Sequence, residues 1–220
     1  MYILFFTNWI FPQGLINTKL EYLSNTDYAK DLILQSANKE IAQEYLEIAD
    51  LQEFARPNAH DMTIAYVLGR DIDLYNALTL AKGSEDGVKI GDLVVVGKGV
   101  VVGKIISTTS HRSVVVLLND PFVSFTVKLL GTSEEIGVTK GNFSNDITID
   151  LIPQNTNINE GDVIVTSSLT GDAPEGLVVG VVKRIAGSQN QLFKQAIIES
   201  PSNVYSYATV GIIHTRNDNN

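Results

Sequence analysis

The chain has 220 residues, enough for one large domain or two small ones with a true core. A hydrophobic fraction of 44% beside 19% charged residues excludes a globally disordered chain. Acidic residues outnumber basic ones 25 to 16, a net charge of −9 that opposes nucleic-acid binding, and the absence of cysteine removes thiol catalysis, zinc–cysteine sites and disulfides.

The N-terminus reads MYILFFTNWIFPQGLI. Its apolar stretch runs about 11 residues before Pro12, against roughly 20 for a bilayer-spanning helix. Thr7 and Asn8 interrupt it, no basic residue precedes it, and no small-residue cleavage site follows. Residues 1–16 therefore read as a short hydrophobic segment. Either it is the end of a membrane anchor, with Tyr2 and Trp9 suited to an interface, or it packs on another apolar surface.

Residues 17–57 carry a helical pattern. Apolar side chains recur at Leu20, Leu23, Leu34, Ala37, Ile41, Ile48, Leu51 and Ala55, in steps that fit a heptad seam. Asp27, Lys30 and Glu44 interrupt the same register. A helix of this quality needs a partner surface in water. One reading is a coiled coil that pairs two chains through Leu34, Ile41, Ile48 and Leu51. The other is an amphipathic helix packed on its own domain. Arg56-Pro57-Asn58 ends it, because proline cannot continue a helix.

From residue 58 to 220 the pattern is β. Runs such as DLVVV, RSVVVLL, DITIDLI and QAIIES alternate with Gly, Asn, Asp and Pro, as in a sandwich or barrel. No helical stretch separates them, so the crossovers of a parallel nucleotide-binding sheet are missing. The region also echoes itself. IGDLVVV at 90–96 resembles EGDVIVT at 160–166, VVVGKII at 100–106 resembles LVVGVVK at 177–183, and NDP at 119–121 resembles ESP at 199–201. The order is kept, which predicts two related β subdomains at about 62–130 and 131–214, then a polar tail.

The stretch GDLVVVGKGVVVGKI has the look of a phosphate loop. A P-loop needs four residues between its first glycine and its Gly-Lys pair, then a hydroxyl residue. Here five residues separate Gly97 from Gly103, and Ile105 follows Lys104. A β-branched run follows where a dinucleotide site needs a helix. The glycines instead predict a strand reversal at Gly97 and Gly99 and an in-strand kink at Gly103, with Gly180 at the matching place in the second copy.

No catalytic, cofactor-binding or metal-binding residue is assigned. His60, His111 and His214 are far apart and outside any metal-ligand spacing. His111, Asp120 and Ser167 or Ser168 follow the order of a trypsin-type triad, but no glycine-flanked nucleophile surrounds TSSL. The acidic pairs Asp71/Asp73 and Glu134/Glu135 lack the spacing and glycine of a calcium loop.

Several motifs in one order carry a family resemblance. AYVLGRD spans Ala65 to Asp71, a KG…DGV..G..V turn spans Lys82 to Val94, a G.VG hairpin spans Gly99 to Ile105, and LNDP spans Leu118 to Pro121. The later block EGDVIVTSSLTGDAPEGLVVGVV and the end QAIIESPSNVYSYATVGII complete the pattern. Over about 62–213 the chain resembles the rod shape-determining MreC family. It departs at Ser168, where the family has Gly after Thr-Ser, and at Ala173, where it has Phe.

The resemblance implies a non-catalytic scaffold of bacterial cell-wall elongation, outside the cytoplasmic membrane and anchored in it. It implies a mainly β fold, with an N-terminal coiled-coil helix and two small barrels of trypsin-like topology lacking catalytic residues. Implied partners are a second copy of the chain, a class B penicillin-binding protein, RodA, MreD and MreB, with no cofactor. Two alternatives stand beside it: a non-catalytic periplasmic adaptor of another envelope assembly, and a trypsin-like hydrolase.

Overall fold

The computed structural model describes residues 13–58, 61–71, 77–142, 146–169, 173–187, 192–200, 203 and 206–214. Within the helix it describes side chains at Lys30 and at 34–55. Residues 1–12 of the hydrophobic segment and the tail after His214 lie outside the described residues. Among the described residues no helix is long and apolar enough to cross a membrane.

One helix, α1 (Gln13–Asn58), covers the heptad-like region. The chain divides into two compact units, Met1–Tyr45 and Leu46–Asn220. The second unit holds the last turns of α1 and twelve strands. These are β1 (Met62–Asp71), β2 (Ala77–Leu80), β3 (Leu93–Val96), β4 (Val100–Thr108), β5 (Ser113–Leu117) and β6 (Thr126–Leu129). There follow β7 (Glu135–Gly141), β8 (Ile147–Pro153), β9 (Val163–Thr166), β10 (Val178–Ala186), β11 (Phe193–Glu199) and β12 (Thr209–Ile213).

The strands close into two six-membered rings. The first runs β4-β3-β12-β1-β2-β5 and returns from β5 to β4; the second runs β10-β9-β6-β7-β8-β11 and returns from β11 to β10. Every pairing within a ring is antiparallel. An even number of strands lets an antiparallel ring close without a mismatch, and closure removes the aggregation-prone edges of an open sheet. The rings meet where β4 and β10 pair in parallel at Val100 and Val178, and Gly99 O accepts the Val178 N–H at 3.0 Å.

Side-chain alternation explains the valine runs. In β3, Val94 and Val96 point into the first ring with Val102, Ile105, Val210 and Ile212. Leu93 and Val95 join the second apolar cluster, with Leu51 of α1 and the core of the second ring. Both faces of β3 are covered, so the strand is apolar throughout.

The echoed segments occupy equivalent places. Asp92 and Asp162 each accept a backbone N–H three residues upstream, from Lys89 at 2.9 Å and from Asn159 at 2.8 Å. Strands β1 to β5 correspond in ring position to β7 to β11. The sixth strand differs in origin, because β6 precedes the other strands of its ring whereas β12 follows all the others of its own. The expected division at 130/131 is corrected accordingly. Residues 126–129 belong to the second ring, and residues 209–213 return to the first, between β1 and β3. That slot is filled by long-range pairing, which local sequence spacing does not encode.

Candidate functional site

The residues of the trypsin-like order each have other partners. His111 is exposed and lies 3.7 Å from Glu85. Asp120 is buried and its Oδ1 accepts the Phe122 N–H at 2.9 Å. Ser167 Oγ donates to Glu135 Oε1 at 2.9 Å, and Ser168 Oγ donates to Glu175 Oε2 at 3.2 Å. His60 and the Asp71/Asp73 pair lie outside the described side chains. Among the described residues no three of His, Asp or Glu gather as a metal-ligand group.

Sequence reading missed one polar chain. His214 Nδ1 is 3.0 Å from Oδ2 of the fully buried Asp92, and its Nε2 is 3.0 Å from Thr63 Oγ1. A neutral ring that donates from Nδ1 to the carboxylate accepts the threonine O–H at Nε2. The contacts span 122 and 151 residues of sequence, so no local motif announces them. They tie the end of β12 to β1 and to the entry of β3.

The glycine stretch is built as a joint. Gly97-Lys98-Gly99 connects β3 to β4, with φ of 51° at Gly97 and 88° at Gly99. Lys98 meets an acidic helix surface rather than a phosphate, 3.0 Å from Glu53 and 3.9 Å from Asp50. The hydrogen bond and charge of Glu53, then the charge of Asp50, raise the Lys98 pKa. A side chain at Gly99 would strike the Phe54 ring. At Gly103 a Cβ would strike the Val116 carbonyl oxygen, and at Gly180 it would stand 2.7 Å from Glu199 O. Both are places where neighbouring backbone comes too close for any other residue.

The four residues expected along a dimer seam separate into two groups. Leu34 and Ile41 are 61% and 65% exposed, and Ile48 is half-buried. Leu51 is fully buried in the cluster with Leu93 and Val95 of its own chain, so it is removed from the seam. The heptad pattern conceals the difference, because a helix shows the same periodicity to a partner helix and to its own barrel.

The rings differ at one matched surface. Ile90 and Ile106 are exposed, each next in sequence to the residues joined where Gly91 N–H donates to Ile105 O and Ile105 N–H donates to Asp92 O. Lys89 and Lys104 flank them, and neither enters an ion pair among the described residues. The second ring has Glu160 and Lys183 at the places of the two isoleucines, and Lys183 lies 3.6 Å from Glu199 and 3.9 Å from Asp146. One ring thus presents an ion-paired surface where the other presents two exposed isoleucines, each near a lysine in sequence. The second ring has its own exposed apolar side chains at Leu151, Leu192 and Phe193, and Leu151 has a positive φ of 61°.

Comparison with known proteins identifies this architecture. The family model described as rod shape-determining protein MreC, barrel core, matches residues 67–214. The cell shape-determining protein MreC of Haemophilus influenzae is 32% identical over 131 residues, which is 59% of this chain and 37% of that protein. The chain thus spans little more than a third of that relative. A solved structure of Listeria MreC superposes with a TM-score of 0.65 at 25% identity, covering 92% of this chain and 95% of that one. The MreC solved in complex with the penicillin-binding protein PBP2 of Helicobacter pylori superposes with a TM-score of 0.57 at 18% identity, covering 71% and 100%. With the family's barrel core matched across both closed rings, the chain belongs to the rod shape-determining protein MreC family.

Proposed function

We propose that this chain is a non-catalytic scaffold of cell-shape maintenance and lateral peptidoglycan synthesis on the outer face of the bacterial cytoplasmic membrane. It acts by self-association through α1 and by docking a wall-synthesis protein on its barrels. The observation that carries this reading is the barrel-core match over residues 67–214, whose two closed rings leave Ile90 and Ile106 exposed between Lys89 and Lys104. The relative solved in complex with PBP2 supports a class B penicillin-binding protein as the docked partner. RodA, MreD and MreB complete the proposed assembly, and the membrane anchor belongs to the same reading.

Two measurements test it. Depletion in the host should widen or round the cells, and the wild-type chain should restore them. Ile90→Glu/Ile106→Glu should fail to restore them and should lose retention of a purified class B penicillin-binding protein. Normal cell width on depletion would sink the scaffold reading. Full retention by the double variant would move docking to another surface, with Leu151, Leu192 and Phe193 next to be substituted.

A further inference from the structure

Strand β12 is held by more than its neighbours in the ring. Its entry is taken by Glu47, a helix residue only 6% exposed. Glu47 Oε2 accepts the Ala208 N–H at 3.0 Å, the Thr209 N–H at 3.1 Å and the Thr209 hydroxyl at 3.1 Å. One helical turn on, Leu51 covers Gly211, where a Cβ would come within 3.1 Å of Leu51 Cδ2. The same Cβ would stand 2.5 Å from Met62 Sδ, so glycine at 211 lets both β1 and the helix pack on this strand. At the far end His214 fixes the strand to Asp92 and Thr63.

The second ring supplies the internal control. Strand β6 fills the same slot there, with Lys128 opposite Val165 as Gly211 is opposite Val95. Lys128 pairs with Glu175, which lies in the segment before β10 and not on α1. Strand β6 also leads directly into β7 of its own ring, whereas β12 arrives from β11 of the other ring. The Glu47 clasp is thus placed on the strand with the longest return path.

We propose that β12 is a conditional closing strand, seated by residues 47–51 of α1, so that displacement of those turns opens the first ring while the second stays closed. The physical basis is reciprocal. Without the helix, two backbone donors and a buried hydroxyl lose their acceptor; without β12, a buried carboxylate oxygen loses three donors. Two elements that satisfy each other's buried groups are linked, and whatever loosens one loosens the other equally. A partner or a pull that acts on the last turns of α1 is thereby read out at the edges of β1 and β3.

Hydrogen exchange on the full chain tests this, with β6 as the reference strand. Glu47→Ala should speed exchange in 208–213 and in the facing residues of β1 and β3 about tenfold or more, the loss expected for a carboxylate that holds several buried donors. Exchange in β6, β7 and β9 should not change. Glu47→Gln keeps one acceptor oxygen and should give a smaller effect at the same residues, which covers the case in which the alanine variant does not fold. Gly211→Ala, whose methyl would crowd Met62 Sδ and Leu51 Cδ2, should speed exchange in both 46–55 and 208–213. Unchanged exchange in β12, or equal acceleration in β6, would overturn the proposal.

Discussion

Gly91 and Gly161 occupy the same position in the two rings. Each has a left-handed φ, 99° and 91°, and each donates its N–H at 2.9 Å to the second strand downstream, at Ile105 O of β4 and at Val182 O of β10. The equivalence extends beyond a shared turn. It aligns two rings residue by residue and makes each a control for the other.

The in-strand glycines should be the least replaceable. Gly103→Val places side-chain atoms against Val115 and the Val116 carbonyl, and Gly180→Val places them against Glu199 O. Each should lower stability by about 1–3 kcal/mol or more, as overpacking does in tight cores. Gly131→Ala meets no atom within 4 Å and suffers only its φ of 82°, so its cost should be smaller. Denaturant midpoints at constant slope provide the comparison, and a Gly103 variant as stable as the Gly131 variant would refute the close-approach argument.

Leu51 and Ile41 should separate folding from association. Leu51→Ala removes a fully buried side chain and should cost about 2–5 kcal/mol in the barrel unit. Ile41→Asp with Leu34→Asp should leave the denaturant midpoint of that unit nearly unchanged and lower the sedimenting mass. An undiminished mass in the double variant would exclude these two residues from the seam.

Acidification should weaken the first ring through Asp86. Its carboxyl is held below the usual carboxylate range first by the Lys82 hydrogen bond, then by the Gly83 N–H. A folded-state pKa below the unfolded one gives stability that is present above the ordinary carboxylate range and is lost as pH falls through the lowered value. Asp150, held low by the Gln195 amide and the Leu151 N–H, and Glu175, held low by Lys128 and Ser168, act in the same direction. Lys98 acts oppositely, since a raised pKa contributes at low pH and is lost as pH rises through it. Thermal midpoints should therefore fall between about pH 6 and pH 2, and Asp86→Asn should flatten part of that fall. An unchanged slope in the variant would remove Asp86 from the acid response.

Much of this was legible in the residues. The β character after residue 58, the reversal at Gly97 and Gly99 and the crowding at Gly103 all follow from local rules about turns and strands. The echo of IGDLVVV in EGDVIVT marks a true equivalence because both turns use the same aspartate and glycine. What remained hidden was long-range. Nothing near Thr209 shows that it will fill a slot between β1 and β3. Glu47 sits in the run KEIAQEYLEIADLQEF among Glu40, Glu44 and Glu53, and only its place above β12 makes it buried. His214 meets Asp92 for the same reason. Leu51 obeys the heptad as well as Ile41 does, and the tertiary surface beneath it decides their different fates.

The late return of β12 also sets an order of assembly. All strands of the second ring lie between residues 126 and 199, so a chain emerging N-terminus first has that ring complete while the first still lacks one stave. The N-terminal barrel is therefore the last to close, the reverse of the usual sequence of domain folding. Until Ile213 is free, the half-built barrel shows β1 and β3 as bare edges. Residues 209–213 are, in effect, the bolt that finishes the first barrel.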